Sequence, residues 1–182
     1  MEALATDFTR IFTGRASGRE FGQKLRESVK RLDTAILNFD GVTLMDATFA
    51  DEAFAALAVD RSRRTFQGGA LLLTNLNSIS LDNLEIALEA RAASEWRLRN
   101  CCLLVRVGPG KTLVGKYEDT VLDTLKLLRG LNELTTSDVM RERAVHPSAA
   151  SSRLKTLYDL GLATRHEVRD EQGRQFVYRW LP

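Results

Sequence analysis

The stretch that most constrains this chain runs from Thr135 to Trp180, where start and stop signals follow one another too closely for more than one arrangement of local structure. Thr135-Thr136-Ser137-Asp138 is a Ser/Thr-x-x-Asp/Glu capping box, able to satisfy the free N–H groups at a helix start. The short helix it opens should end near Arg143, and Val145-His146-Pro147 breaks the chain. Pro147 suits the first position of a second helix, because its missing N–H is not needed there. Ala150, Leu154, Leu157 and Tyr158 then share one helical face, and Gly161 supplies a left-handed stop. Residues 162–168 and 174–180 read as two strands, with a hairpin turn at Asp170-Glu171-Gln172-Gly173. Two short helices at a tight angle, then a β-hairpin, is the expected result.

That succession describes a winged helix-turn-helix. Residues 148–165, Ser-Ala-Ala-Ser-Ser-Arg-Leu-Lys-Thr-Leu-Tyr-Asp-Leu-Gly-Leu-Ala-Thr-Arg, resemble the recognition helix and the start of the wing in MarR-type and ArsR-type repressors. Residues 173–180 resemble the second wing strand of the same families. The resemblance implies double-stranded DNA as a partner, with the second helix in the major groove and the wing on phosphate or minor groove. The residues it assigns to DNA are Ser148, Ala149, Ser151, Ser152, Arg153 and Lys155 on the helix, and Arg165, Arg169 and Arg174 on the wing. The same scaffold can instead contact protein.

Charge gives only local support. The whole chain carries a formal net charge of +2. From Arg143 onward seven Lys/Arg face four Asp/Glu, a local excess of +3.

With 182 residues there is room for a second unit upstream, and the composition, 44% hydrophobic and 27% charged, is that of an ordinary globular chain. Residues 6–13 form a short candidate strand, broken at residues 14–18, and a helix with Phe21, Leu25, Val29 and Leu32 inward is expected over 18–32. Strands are expected at 35–39, 42–46, 70–74 and 101–107. Between them lie helices from about Thr48 (Phe49, Ala53, Phe54 and Leu57 inward) and from Ser80 as cap (Leu84, Ala87 and Leu88 inward). Alternating strands and helices indicate an α/β layer with a mixed or parallel sheet. Residues 117–131, with Val121, Leu125 and Leu128 inward and Gly130 at the end, supply the first helix of the C-terminal unit. The expected division is therefore an α/β domain over 1–112 and an α+β winged helix-turn-helix over 113–182.

Ile36 to Glu52, with Phe12 to Arg19 upstream, resembles the central strand–loop–helix of STAS-like domains, relatives of the anti-anti-sigma factors. In those factors the loop reads Asp-Ser-Ser-Gly, and its second Ser is phosphorylated by a kinase that is also the binding partner. Here the aligned residues are Asp46-Ala47-Thr48-Phe49, so Thr48 keeps a hydroxyl where the phosphorylated residue stands, while Phe49 replaces the glycine. The resemblance makes Thr48 and Asp46 a candidate phosphorylation or partner site; by plain helix chemistry either of them simply caps the helix that follows.

Other features mislead. Gly108-Pro109-Gly110-Lys111-Thr112 resembles the end of a phosphate-binding P-loop, but Val105 stands where that pattern needs glycine, and a turn between two strands fits better. His146 and His166 lack metal-ligand spacing, and nothing assembles a nucleophile with a base, so neither metal, cofactor nor enzymatic activity is expected. Arg61-Ser62-Arg63-Arg64 reads as a solvated helix end, with a second nucleic-acid contact as the lesser alternative. Cys101 and Cys102, adjacent in a strand, suit a reducing cytoplasm, and there is no apolar run of membrane-spanning length. The expectation is a cytoplasmic, homodimeric DNA-binding transcription regulator whose STAS-like part senses a signal or binds a regulatory protein. The alternative is a protein-interaction adaptor of the partner-switch type.

Overall fold

A computed structural model describes residues 3–4, 10–170 and 173–182. In chain order the elements are β1 (Ala3–Leu4), β2 (Ile11–Phe12), α1 (Arg15–Arg31), β3 (Thr34–Asn38), β4 (Leu44–Met45) and α2 (Ala47–Ala50). A π-helical turn, Asp51–Ala55, leads without a break into α3 (Ala56–Ser62). Then come β5 (Ala70–Thr74), α4 (Ser78–Ser94), β6 (Cys101–Val107), β7 (Gly110–Lys116), α5 (Asp119–Leu131) and β8 (Glu133–Leu134). The chain closes with α6 (Thr136–Arg143), α7 (Pro147–Asp159), β9 (Thr164–Asp170) and β10 (Gly173–Arg179). This is a mixed α/β fold.

Its main sheet has five strands in the order β1-β3-β5-β6-β7, parallel up to β6, with β7 returning antiparallel. A second sheet, β8-β10-β9, is antiparallel, and β2 with β4 forms a separate two-stranded pair. The continuous apolar runs of β5 and β6 follow from burial on both faces of the main sheet. Alternate residues go to opposite sides. Leu37, Leu71, Leu73, Leu103, Val105 and Val114 join a core built with α1, α2, the π-helical turn, α3 and α4. Ala70, Leu72, Cys102, Leu104 and Leu113 join a second core built with α5, α6, α7 and β10. The C-terminal elements are thus the layer that covers the back of the main sheet.

Gly18 and Gly22 let α1 lie close against the following helices; a Cβ on Gly18 would stand 2.7 Å from the carbonyl oxygen of Phe49. Beside them Phe12, Phe21, Phe39, Phe49 and Phe54 form a ring cluster with centroids 5.0–6.4 Å apart.

Several local expectations change. Residues 15–18, expected as a break, are the first turn of α1. The strand expected over 42–46 shortens to β4 and pairs with β2 outside the main sheet. Asn77, not Ser80, caps α4 and accepts from the Ser80 N–H; the Ser80 hydroxyl is buried and accepts from the Met45 N–H at 3.0 Å. α5 runs through Gly130 and stops at Asn132, whose φ of 62° takes the left-handed turn. The P-loop look-alike is the β6–β7 hairpin turn. β7 extends to Lys116, so the expected boundary at 112/113 lies inside one strand of the main sheet. Of the candidate strand at 6–13, residues 10–13 are described, and of these only Ile11–Phe12 are strand, as β2.

Arg61 departs most from expectation. Rather than a solvated helix end it is 2% exposed, and its guanidinium donates to the Leu160 carbonyl at 3.1 Å and the Gly69 carbonyl at 2.6 Å. Burial lowers its pKa to about 10, which still leaves it charged at neutral pH. Its charge is stabilised by the Leu160 carbonyl at the end of α7, by the Gly69 carbonyl and by the Phe66 ring, 5.9 Å away.

Candidate nucleic-acid interface

α6 and α7 start as their sequence dictates. The Thr135 hydroxyl accepts from the Asp138 N–H at 3.3 Å, and the Asp138 carboxylate accepts from the Thr135 N–H at 2.9 Å, completing the capping box. Ala144, in the left-handed region at φ 49°, ends α6 and redirects the chain. His146 then caps α7, its Nδ1 accepting from the Ser148 N–H at 3.4 Å, with Pro147 inside the first turn.

On α7 the division between faces is sharp. Ala150, Leu154 and Leu157 are fully buried in the second core. Ser148, Ala149, Ser151, Ser152 and Lys155 are all exposed on the other side. Five of the nine residues assigned to DNA therefore form one short, polar, sterically open surface.

The arginines are held differently. Arg153 is half-buried and turns toward α5, 3.6 Å from Asp123, which also binds Arg143 of α6 at 2.7 Å. It braces the three helices. Arg165 lies between the rings of Tyr158 and Phe176, at 4.2 and 4.4 Å from their centroids, fixing the hairpin to α7. Arg169 and Arg174 face one another across β9 and β10, and both reach Glu167, at 3.2 and 2.7 Å. Both are more than half exposed, so these pairs are weak and exchangeable. Lys155 pairs with Asp159 at 2.7 Å, and Asp159 also receives Arg64 from the end of α3 at 3.0 Å. The middle of the expected hairpin turn, Glu171-Gln172, lies outside the described residues.

A second cluster surrounds Thr48, which is exposed in a shallow groove lined by Arg15, Asp51 and Arg91. Asp46 is the cap of α2: its carboxylate accepts from the Phe49 N–H at 2.7 Å, the Thr48 hydroxyl at 2.8 Å and the Gly14 N–H at 3.1 Å. Desolvation pushes the Asp46 carboxyl up, but these hydrogen bonds together outweigh it and hold it below the usual carboxylate range. Asp51, in the π-helical turn, is gripped by Arg91 through two bonds of 2.7 and 2.9 Å and approached by Arg15 at 3.3 Å. π-Helical turns recur at functional positions. Neither Arg91 nor the turn is marked by any local sequence signal, whereas Arg15 belongs to the segment that carries the STAS-like resemblance.

Among the described residues no group of three or more His, Cys, Asp or Glu is arranged to hold a metal ion. Among the same residues no helix is long and apolar enough to cross a membrane. Comparison with protein-family models, with curated proteins and with solved structures finds no match to this chain.

Proposed function

We propose that the protein is a DNA-binding transcription regulator in which β8, α5–α7 and the β9–β10 hairpin act as a winged helix-turn-helix and the main sheet with its helices acts as a STAS-like layer. The observation that carries this reading is the exposed face of α7. A helix whose back is fully buried presents Ser148, Ala149, Ser151, Ser152 and Lys155, short enough for base edges and backbone to come close. Arg169 and Arg174 on the neighbouring hairpin supply exposed positive charge that a phosphate can take from Glu167. The protein acts as a homodimer, since one such unit reads one half-site. Fluorescence anisotropy on genomic duplex fragments, repeated across a salt series, is the test. With two or three cations engaged per subunit, about four to six phosphates are neutralised, and log K against log salt falls with a slope near −4 to −5.

A second reading has its own support in the Thr48 groove. An exposed hydroxyl beside Arg15 and Arg91 suits a docking surface for a regulatory protein, altered by a phosphate on Thr48. Thr48→Glu then changes the affinity of that partner while Thr48→Ala leaves the fold intact. If no duplex binds in a salt-dependent way, the adaptor function replaces DNA binding.

A further inference from the structure

Beyond Lys155 the half-buried Thr156 and Asp159 of α7 line a cleft together with the end of α3 and the connection from α4 to β6. Arg63, Arg64, Arg97 and Arg99 surround this cleft, and Arg61 lies buried beneath it. Three of the four exposed arginines have a carboxylate neighbour: Glu95 for Arg63, Asp159 for Arg64 and Glu118 for Arg99. Arg97 has none within ion-pair distance among the described residues. It lies instead over the indole of Trp96, 3.9 Å from the ring centre. Trp96 is itself 77% exposed, the most exposed large hydrophobic side chain described. The backbone at Arg97 is left-handed, with φ 58°, a conformation a long side chain seldom adopts. An indole in water, a guanidinium stacked on it and a strained backbone beneath both mark a surface shaped for a partner.

We infer that this cleft is an auxiliary anchor for the sugar-phosphate backbone of the same duplex that α7 reads, so that the STAS-like layer contributes directly to the DNA footprint. The inference rests on the DNA-binding reading of α7. Distance supports it: Ser152 and Asp159 are seven residues apart on the helix, about 10 Å at 1.5 Å per residue. A helix lying in a major groove about 12 Å wide meets a bounding backbone strand within roughly that reach. Charge supports it too. Arg99 and Glu118 form a pair exposed on both sides and therefore weak, whose carboxylate a phosphate can displace, and Arg97 has no carboxylate to give up; arginine holds phosphate through paired N–H groups. Trp96 offers a flat apolar face of the kind that packs on sugar or on an end base, with the Arg97 cation beside it.

The experiment uses the full chain and two duplexes, one trimmed to the α7 contact and one extended on the side of the cleft. Arg97→Ala/Arg99→Ala is compared with the unchanged protein by anisotropy across a salt series. Both side chains are exposed, and a matching thermal melt shows that the variant folds. The double variant should bind the trimmed duplex as before, while on the extended duplex its salt slope flattens by about two units per subunit. Arg97→Lys/Arg99→Lys should restore the slope, because charge is kept. The extended duplex should also change the fluorescence of Trp96, a signal absent in Trp96→Phe. Equal slopes for the double variant and the unchanged protein on the extended duplex, with Lys155→Glu still abolishing binding, would overturn the cleft but keep the function of α7. Failure of the unchanged protein to bind either duplex overturns both.

Discussion

The guanidinium of Arg61 donates to the carbonyl of Leu160 across 3.1 Å, joining the end of α3 to the end of α7 inside the protein. Gly161, at φ 72°, makes room for it; a Cβ there would land on the guanidinium. Arg61→Ala leaves the buried Leu160 carbonyl and the part-buried Gly69 carbonyl without their donor, at about 1–3 kcal/mol for a fully buried group and less for the other. A total loss of about 2–5 kcal/mol is expected in urea unfolding. Gly161→Ala should cost at least about 1–2 kcal/mol from its backbone conformation alone. Because removing Arg61 removes the clash, the double variant should be more stable than the two single losses summed. Simple additivity would mean that the two residues do not oppose each other.

At the Thr48 cluster the roles of the two polar residues separate. Asp46→Ala removes the cap of α2 and should cost about 1–2 kcal/mol. Thr48→Ala removes one exposed hydroxyl donor to Asp46 and should cost less than about 1 kcal/mol. Equal losses in paired denaturation curves would return the cap to Thr48.

Acid should act through the two helix caps. Desolvation raises both the Asp46 and Asp138 carboxyls, yet hydrogen bonds to Phe49 and Thr48 in one case and Thr135 in the other bring each below its ordinary value. In the unfolded chain each takes up a proton near pH 3.8; in the folded protein it does so only at lower pH. Their stabilisation is therefore complete above about pH 5, begins to fall near the unfolded value and is lost as the pH falls through the folded values. Asp46→Asn/Asp138→Asn should flatten the acid limb of a stability–pH profile; an unchanged limb would assign it to other groups.

On the hairpin, Arg169 and Arg174 are both paired with Glu167; if the protein binds DNA as proposed, phosphate has to displace that carboxylate. Glu167→Gln should raise affinity for all duplexes alike at low salt. Arg174→Ala should weaken all alike and flatten the salt slope by about one unit per lost phosphate contact. Ser152→Ala should instead change which sequence is preferred, since base-edge contacts specify while phosphate contacts position. Competition among duplexes of different sequence, run with each variant, distinguishes these effects.

What was legible in the sequence was what local chemistry decides. Thr135 and Asp138, Pro147 and Gly161 specify their turns through their own backbones, and the spacing of Ala150, Leu154 and Leu157 already separates the buried face of α7 from the open one. What depends on distant chain was not legible. Arg61 looks like its neighbours Arg63 and Arg64 until α7 is laid over it. The ties of Arg153 to Asp123 and of Arg165 to Tyr158 and Phe176 likewise need the packed helices and hairpin. The cleft gathers residues 61–64, 96–100, 118, 156, 159 and 160, which no local window brings together.

Cys101 and Cys102 are neighbours in β6 whose side chains enter different cores, one on each side of the main sheet. Burial pushes both thiols up to about 12, so in the closed protein neither is a nucleophile. Each reacts with an alkylating reagent only when its own layer opens. The two sulfurs therefore act as independent clocks, and mass spectrometry of labelled peptides reads them. Equal rates mean that the α/β layer and the C-terminal layer breathe as one cooperative unit. A faster Cys102 means that the C-terminal layer can lift from the sheet while the rest stays folded, the motion a signal would need in order to travel between them.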